Sequence, residues 1–445
     1  MVLPPKPPPP LEQLLNTLAC FLDRRHDDLL DPLFLGMLFA RGRRTVTSWF
    51  RAGGIADDFR RGYTLLGTIG RSKIDPFATV LFSQLRRDIA PGERWLFALD
   101  DTPTARYGPC VEGAGIHHNP TPGPAGEKHV YGHVWVTLAW LVRHPCWHVR
   151  ALPLLAEMYI RQVDLPKIDW DRRPSFATKL ELAARQIAWV ARQRHDERPL
   201  WFAVDGFYFK RPVLKAACLS QAVVVGRLRC DAALWGLPPL VPENQRGPGR
   251  PRVYGRHRLS LAGRAAHRLG WQQVECCQYQ QTVSKTVKTF LATWKPAGGV
   301  IRVVIVKEDD GWIAYACTDP QATVKDILEA VAARTAIEDT FKDVKEVEGA
   351  GQQQLRYWRA NVGALNLCLW GYSAVEWWAW DKRSQTVCDR RDSPWDKEER
   401  RPSHADKRKA LHREMLQTEF WRRWGPRPCP VEIRELLDSV LAMAV

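Results

Sequence analysis

Two acidic side chains directly follow short apolar segments, Asp100 after RWLFAL and Asp205 after LWFAV. Each segment has the composition of a buried strand. The carboxyl ends of strands are where an open α/β sheet presents polar groups to a cleft. A half-buried carboxylate requires a cation or a donor beside it, because an isolated buried charge is costly. Asp101 and Thr102 follow Asp100 immediately, so either neighbouring aspartate could be the functional one.

A third candidate acid, Glu338, lies in the segment ARTAIEDTFKDVKEVEG, which predicts a helix. At about 100° per residue, Arg334, Glu338 and Lys345 fall on one stripe of that helix. A solvated face with i,i+4 ion pairs would show the same pattern. A carboxylate flanked by two cations also suits a metal ligand next to a phosphate group. Asp339 is an alternative to Glu338 at the adjacent position.

Three carboxylates could hold two divalent cations about 3.5–4 Å apart, which is the arrangement that cleaves or joins phosphodiesters. Such a pair activates a water or a 3′-hydroxyl on one side of the phosphate and stabilises the leaving oxygen on the other. Mg²⁺ is the expected ion, with Mn²⁺ as a substitute, because Mg²⁺ takes oxygen ligands and keeps several waters. The 11 cysteines are scattered without a CxxC pair, so neither a zinc site nor a disulfide framework is expected.

The apolar periodicity of residues 94–229 predicts the element order β-β-β-α-β-α-β, which indicates a mixed sheet flanked by helices. The strands are expected at 94–99, 129–143, 146–160, 200–204 and 222–229, and the helices at 178–193 and 211–221. Further along, residues 299–317 predict a hairpin that turns at Asp309-Asp310-Gly311. A helical pattern resumes at Ala322, residues 351–380 predict a buried helix, and the polar run 381–413 predicts a linker before a last helical stretch.

The charge pattern favours a nucleic-acid partner. The net charge is +16, which attracts polyanions. Residues 244–274 carry seven arginines and no acid. Within them, Gly249-Arg250-Pro251-Arg252 has the look of a minor-groove hook, although a solvated loop touching phosphates would also account for it. Residues 41–67 have the layout of a helix-turn-helix around Gly53-Gly54.

No apolar stretch reaches the roughly 18 residues needed to span a bilayer, so no membrane partner is expected and the predicted location is cytoplasmic.

These residues resemble the insertion-sequence DDE transposases over about residues 90–370. Arg334, Glu338 and Lys345 match the Arg-x3-Glu-x6-Lys part of the family's Tyr-x2-Arg-x3-Glu-x6-Lys signature, while the tyrosine position holds Val331. The DDT run at 100–102 is similar to the family's first-aspartate motif, and the VDGFY run at 204–208 is similar to its second. The Asp-x-Thr form favours Asp100 over Asp101, and the Arg and Lys spacing selects Glu338.

The resemblance implies an RNase H-like core in which Asp100, Asp205 and Glu338 hold the metal ions, while Arg334 and Lys345 bind phosphates near the cut. It also implies a mainly β insertion between the second aspartate and the glutamate helix, which would grip the transposon end and stabilise a flipped base. The candidates for stacking on that base are Trp235, Trp271, Trp294 and Trp312. The implied partners are double-stranded DNA, as transposon ends and as target, and a second copy of the chain in a synaptic homodimer at the bacterial nucleoid.

The sequence therefore predicts an α/β protein with helical N- and C-terminal regions around an interrupted core. The expected regions are an N-terminal helical DNA-binding region (1–90), the first part of the core (91–230), a basic β-containing insertion (231–318), the second part of the core with the glutamate helix (319–380), and a C-terminal linker and helical region (381–445). The predicted activity is hydrolysis at element ends followed by 3′-hydroxyl strand transfer. A nuclease of the same fold that does not rejoin DNA, and a domesticated DNA-binding protein without catalysis, are the alternatives.

Overall fold

A computed structural model describes residues 5–55, 58–119, 128–239, 252–279, 281–388, 395–397 and 400–444. Arg250, one of the predicted DNA contacts, and its neighbours Gly249 and Pro251 lie outside these residues. Mixed α/β architecture is present, as predicted.

Within the described ranges, twelve strands form one sheet that is mostly antiparallel. The strands are β1 (Trp95–Ala105), β2 (Gly115–His118), β3 (His129–His144), β4 (His148–Tyr159), β5 (Leu200–Val204), β6 (Ala222–Leu228), β7 (Leu234–Trp235), β8 (Arg258–Leu259), β9 (Gln272–Gln278), β10 (Gln281–Trp294), β11 (Gly299–Glu308) and β12 (Gly311–Cys317).

The helices precede, interrupt and follow these strands. They are α1 (Pro9–Ala19), α2 (Leu30–Phe39), α3 (Val46–Ala52), α4 (Phe59–Thr68), α5 (Ile74–Asp88), α6 (Lys179–Arg192), α7 (Arg211–Leu219), α8 (Leu261–Ala266), α9 (Val324–Arg334), α10 (Ala336–Glu346), α11 (Trp358–Trp378), α12 (Ser384–Val387), α13 (His404–Trp424) and α14 (Val431–Ala444). In the described part of the chain, no helix is both long and apolar enough to cross a bilayer.

The centre of the sheet has the strand order β4-β3-β1-β5-β6. β3 is antiparallel to both β1 and β4, whereas β1, β5 and β6 run parallel. The predicted β-β-β-α-β-α-β order is present, with the short β2 as an addition. The prediction that the first strand ends at Leu99 was wrong, because β1 pairs with β3 as far as Ala105 and Asp100 lies within the strand. The crossover helices α6 and α7 cover one face of the sheet, where Phe202 packs with Leu182 and Val213. Helices α9 and α10 cover the other face, where Ala98 packs with Ile337.

The segment after β6 extends the same sheet instead of forming a separate one. β12 pairs antiparallel with β6, and the order continues through β11, β10, β7 and β8. The predicted hairpin is confirmed, because Glu308 of β11 pairs with Gly311 of β12 around the Asp309-Asp310 turn. The strands of the predicted basic insertion therefore continue the central sheet. The pairing of β12 with β6 fixes their position relative to β5 and Asp205.

The N-terminal helices pack on the buried helix α11, and their residues share one hydrophobic core with it. The predicted helix-turn-helix elements are present as α3 and α4, and the predicted buried helix of 351–380 is present as α11. A π-helical turn, Ile69–Lys73, joins α4 to α5. It crosses α11 so closely that a Cβ on Gly70 would stand 1.8 Å from the carbonyl oxygen of Arg359.

Gly70→Ala is therefore expected to lower the free energy of unfolding by about 1–3 kcal/mol, since the two backbones must move apart. Urea unfolding of the full chain measures this effect. Gly67→Ala is the matched control, because Gly67 lies in α4 with nothing within 4 Å of an added Cβ. That control should be neutral or slightly stabilising. Equal unfolding curves for the two variants would contradict the close crossing.

The prediction of a linker over 381–413 was wrong for its second half. Helix α13 begins at His404, where Ser403 and Asp406 form a capping box. His404, Lys407 and Arg408 are buried. Buried glutamates pair with these charges. A charged composition that is typical of a solvent-exposed linker therefore belongs to a buried helix here.

The helix predicted from Ala322 through the 340s is two helices. α9 ends at Arg334 and α10 begins at Ala336. At the junction the hydroxyl of Thr335 donates to the carbonyl of Ala332. The break leaves Arg334 and Glu338 on the same side, within contact distance of one another.

Candidate active site

The parallel pairing of β1 with β5 brings Asp100 and Asp205 to the same place. Leu99 of β1 pairs with Val204 of β5. The residues that follow them, Asp100 and Asp205, are therefore at the same level of the sheet. Side chains alternate between the faces of a strand, and Asp100 therefore shares the face of Ala98, under α9 and α10. By the same register Asp205 comes beside it on that face.

The two carboxylates influence each other through a poorly solvated space. Burial raises the pKa of Asp100 to about 7; Arg334 opposes this rise and Asp205 adds to it. The pKa of Asp205 is raised as well, chiefly by burial, while the backbone N–H of Tyr208 and the charge of Arg334 lower it. A pair of acids that resists ionisation in this way favours a bound cation.

Arg334 lies between the strand acids and the helix acid. Its Nη1 donates to Oδ2 of Asp100 at 2.6 Å, and its Nη2 donates to Oε1 of Glu338 at 2.8 Å. Glu338 is otherwise open to solvent, with 57% of its side chain exposed. Among the residues that the structure describes, no three Asp, Glu, His or Cys side chains already form a metal cage. The guanidinium supplies positive charge at the position between Asp100 and Glu338.

Asp101 lies on the opposite face of β1 from Asp100 and has different partners. Nζ of Lys179 donates to its Oδ2 at 2.6 Å, and the hydroxyl of Tyr208 donates to its Oδ1 at 2.7 Å. Burial and the nearby carboxylates raise the pKa of Tyr208 well above its usual range, so the hydroxyl remains a donor. Neither Lys179 nor Tyr208 was predicted as a functional residue from the sequence. The VDGFY run contained the tyrosine, but nothing local connects it to Asp101.

Lys345 is not part of the contact group around Arg334. It lies in the last turn of α10, and no described residue accepts a hydrogen bond from it. Burial lowers its pKa. Its role as a phosphate contact stays a prediction.

A cavity of about 670 Å³ opens beside Asp205. Asp205, Phe207, Arg227 and Arg334 line its core side, and the insertion contributes Trp312 and the following residues: Tyr279, Lys285 and Tyr315. The cavity combines aromatic rings with cations next to the acids, which is a surface suited to bases and phosphates.

The four tryptophans proposed for stacking differ in environment. Trp312 lines the cavity beside Asp205, whereas Trp294 is buried and stacks on Phe209 with ring centroids 5.2 Å apart. Trp235 and Trp271 lie under the ammonium groups of lysines, at 5.8 and 4.7 Å. Trp312 is the one of the four that lines this cavity.

Arg252 lines a second cavity, of about 710 Å³, beside α7. Its cationic lining comprises Arg211, Lys215, Arg252 and Lys295. All four side chains are exposed, and no described acid pairs with them. Because α7 covers the face of the sheet opposite α9, this basic groove, as we call these four residues, lies across the sheet from Asp100.

Asp100→Asn should change how the stability of the metal-free chain depends on pH. The pKa of Asp100 is about 7 in the folded chain, above the ordinary value of 3.8. The folded state therefore binds the proton more tightly, and this carboxyl reduces stability as the pH rises from about 4 to about 7. Asparagine cannot ionise, so the variant should gain stability relative to the parent as pH rises. Thermal unfolding in EDTA between pH 5 and 8 measures the difference, and parallel curves would contradict the shifted pKa.

Comparison with known proteins gives one family match. The profile of a family described as a DDE superfamily endonuclease matches residues 16–294. This match includes Asp100 and Asp205 and ends before α9. A search of curated proteins found no match to the chain.

Proposed function

Since the chain belongs to the DDE superfamily of endonucleases, we propose that it is a DNA transposase that cuts element ends and joins them to target DNA. The observation that carries the proposal is that Asp100 in β1 and Asp205 directly after β5 lie side by side, with Arg334 linking Asp100 to Glu338. The strand order β4-β3-β1-β5-β6, with β1, β5 and β6 parallel, supports an RNase H-like core. The five regions expected from the sequence remain our proposed division, with the insertion joined to the core through β12 and β6.

The residues present fit divalent metal ions. DDE-type endonucleases in general use divalent metals, and here the donors are carboxylate oxygens, which suit Mg²⁺ or Mn²⁺. Burial raises the pKa of Asp100 even though Arg334 lowers it, which supports a place for additional positive charge beside this carboxylate. We propose that Asp100, Asp205 and Glu338 hold two ions. Bound there, the ions would activate the attacking oxygen and stabilise the leaving one.

The chain's own side chains then have separate tasks. Arg334 must release Asp100 and Glu338 when cations enter, and its guanidinium is then free to take a phosphate oxygen. Bidentate geometry makes arginine well suited to that contact. The cavity beside Asp205 would hold a nucleotide of the element end, with Trp312 as the stacking surface for a base turned out of the helix. Lys345 is proposed as a further phosphate contact.

Strand transfer distinguishes a transposase from a nuclease of the same fold. Purified chain, Mg²⁺ and a duplex with pre-nicked ends and free 3′-hydroxyls should yield joined products with a target plasmid. Cleavage without any joined product would favour the nuclease. Two ends must be held together for concerted joining, so we propose a homodimer on DNA, acting at the bacterial nucleoid.

The basic groove is expected to contact the DNA backbone. The slope of log K against log salt is negative, and each phosphate contact that is removed reduces its magnitude by about 0.9. Arg211→Ala with Arg252→Ala should therefore reduce the magnitude of that slope by about 1.8. The control is Arg87→Ala with Arg143→Ala, which removes the same charge from exposed positions on α5 and β3. If the two double variants change the slope equally, the basic groove makes no specific contact with DNA, and the change reflects only the lower net charge of the protein.

A further inference from the structure

The two adjacent aspartates of the DDT run have separate environments. Asp100 faces α9 and Arg334, whereas Asp101 faces α6 and is held by Lys179 and Tyr208. Both carboxylate oxygens of Asp101 accept a hydrogen bond from within the protein at 2.6 and 2.7 Å. Because both of its oxygens already accept hydrogen bonds from the protein, this carboxylate is poorly placed to bind a metal ion directly.

Tyr208 connects Asp101 to Asp205. Its backbone N–H donates to Oδ1 of Asp205 at 2.9 Å, and its hydroxyl donates to Oδ1 of Asp101 at 2.7 Å. The residue is fully buried, so its ring cannot turn without disturbing the core. Because the amide and the hydroxyl belong to one immobile residue, the orientation of the Asp205 carboxylate depends on where Asp101 holds the ring.

Lys179 fixes the other side of Asp101. It is the first residue of α6, directly after the Thr178 cap, whose capping box with Glu181 defines the start of the helix. The ammonium group also lies 5.5 Å from the ring of Phe207, next to Tyr208 in the chain. Three separate elements, β1, α6 and the turn after β5, therefore converge on one carboxylate.

We infer that Asp101, Lys179 and Tyr208 form a positioning brace that orients Asp205 for divalent-cation binding, an inference that rests on the proposed metal-dependent function of the site. In the brace, Asp101 is a positioning residue and Asp100 is the ligand. Groups that orient a metal ligand typically change metal affinity 10–100-fold when they are removed. In the VDGFY run, Asp205 would then bind the ion and Tyr208 would orient the carboxylate of Asp205.

Tyr208→Phe tests the brace, since it deletes the hydroxyl and keeps the ring. Calorimetric titration of the DNA-free full chain with Mn²⁺ should show affinity reduced by at least about tenfold. The matched control is Tyr372→Phe: Tyr372 is equally buried, and its hydroxyl accepts from Arg150 at 2.8 Å in the network of Glu376, which has no hydrogen bond to Asp101 or Asp205 among the described residues. That control should keep Mn²⁺ affinity within about twofold of the parent, whatever its loss of stability.

Asp101→Asn identifies the role of the acid itself. If Asp101 positions Asp205, the variant and Tyr208→Phe should lose affinity to a similar degree. The double variant should lose little more than either single one, because an amide offers one acceptor oxygen for the two donors Lys179 and Tyr208 and so disrupts the same contact that Tyr208→Phe removes. If Asp101 were the ligand, Asp101→Asn would lose as much affinity as Asp205→Asn and clearly more than Tyr208→Phe.

The outcomes separate the inference from the proposed function. Mn²⁺ binding that is lost in Asp205→Asn but unchanged in Tyr208→Phe overturns the brace and leaves the metal site intact. A parent chain that binds no Mn²⁺ in a manner dependent on Asp205 overturns both.

Discussion

Asp205→Asn should reduce metal-dependent DNA cleavage by at least about 10³-fold while leaving DNA affinity within a few-fold of the parent. The physical reason is that an amide keeps the shape of the side chain and removes the charge that a divalent cation requires. Asp205 also accepts the backbone N–H of Tyr208, a bond that the amide oxygen can still accept. The variant should therefore fold.

The measurement is the single-turnover cleavage rate on an element-end duplex, with binding measured separately in Ca²⁺. Asp169→Asn provides the control, since Asp169 is an exposed aspartate, 68% of whose side chain is accessible, on the loop before α6. It should cleave at the parent rate. Unchanged cleavage by Asp205→Asn would exclude Asp205 from the catalytic group, whereas a parent that binds DNA without cleaving it would favour a domesticated binding protein.

Glu376→Gln should lower the free energy of unfolding by about 3–5 kcal/mol, the usual cost of removing one partner from a buried charge group. Glu376 lies in α11 and is fully buried. Its carboxylate accepts from Arg150 at 3.0 Å, from Lys407 at 2.6 Å and from His404 at 2.9 Å. Burial alone would raise the pKa of Glu376, but Arg150 and Lys407 lower it well below the ordinary value.

A neutral glutamine would leave Arg150 and Lys407 buried with too little negative charge. Urea unfolding at pH 7 measures the loss. Glu419→Gln is the comparison: Glu419 contacts Arg422 and Arg423 at 2.7 and 2.6 Å near the surface. There the expected loss is under about 1 kcal/mol. A similar small loss in both variants would mean that water reaches the Glu376 group.

The same group explains why the C-terminal region was mispredicted. Both ring nitrogens of His404 donate to carboxylates, Nδ1 to Glu376 and Nε2 to Glu348, at 2.9 Å each. Periodicity identifies a buried helix by its apolar residues, and α13 buries charges instead. Glu348 and Glu376 match the charges of His404 and Lys407, and no local sequence pattern reveals these partners because they are distant in sequence.

The two aspartates were predictable for the opposite reason, although β1 continues past Asp100 to Ala105. An apolar run followed by an aspartate is a local pattern, and the helix α6 before β5 is the kind of crossover that can return a strand parallel to an earlier one. The choice between Asp100 and Asp101 needed the register, because adjacent residues point to opposite faces. The bridging contact of Arg334 with Asp100 depends on how α9 crosses the sheet, which the helix's own sequence does not specify.

We propose that Asp100, Asp205 and Glu338 converge on bound divalent cations. A crystal structure of the full chain grown with Mn²⁺, with anomalous scattering recorded at the manganese edge, tests it most directly. We expect a peak about 2.0–2.2 Å from carboxylate oxygens of Asp100 and Asp205, with Arg334 moved away from Asp100 and Glu338 turned toward the ion. A peak at another site, or Arg334 still bonded to Asp100 in saturating Mn²⁺, would contradict it.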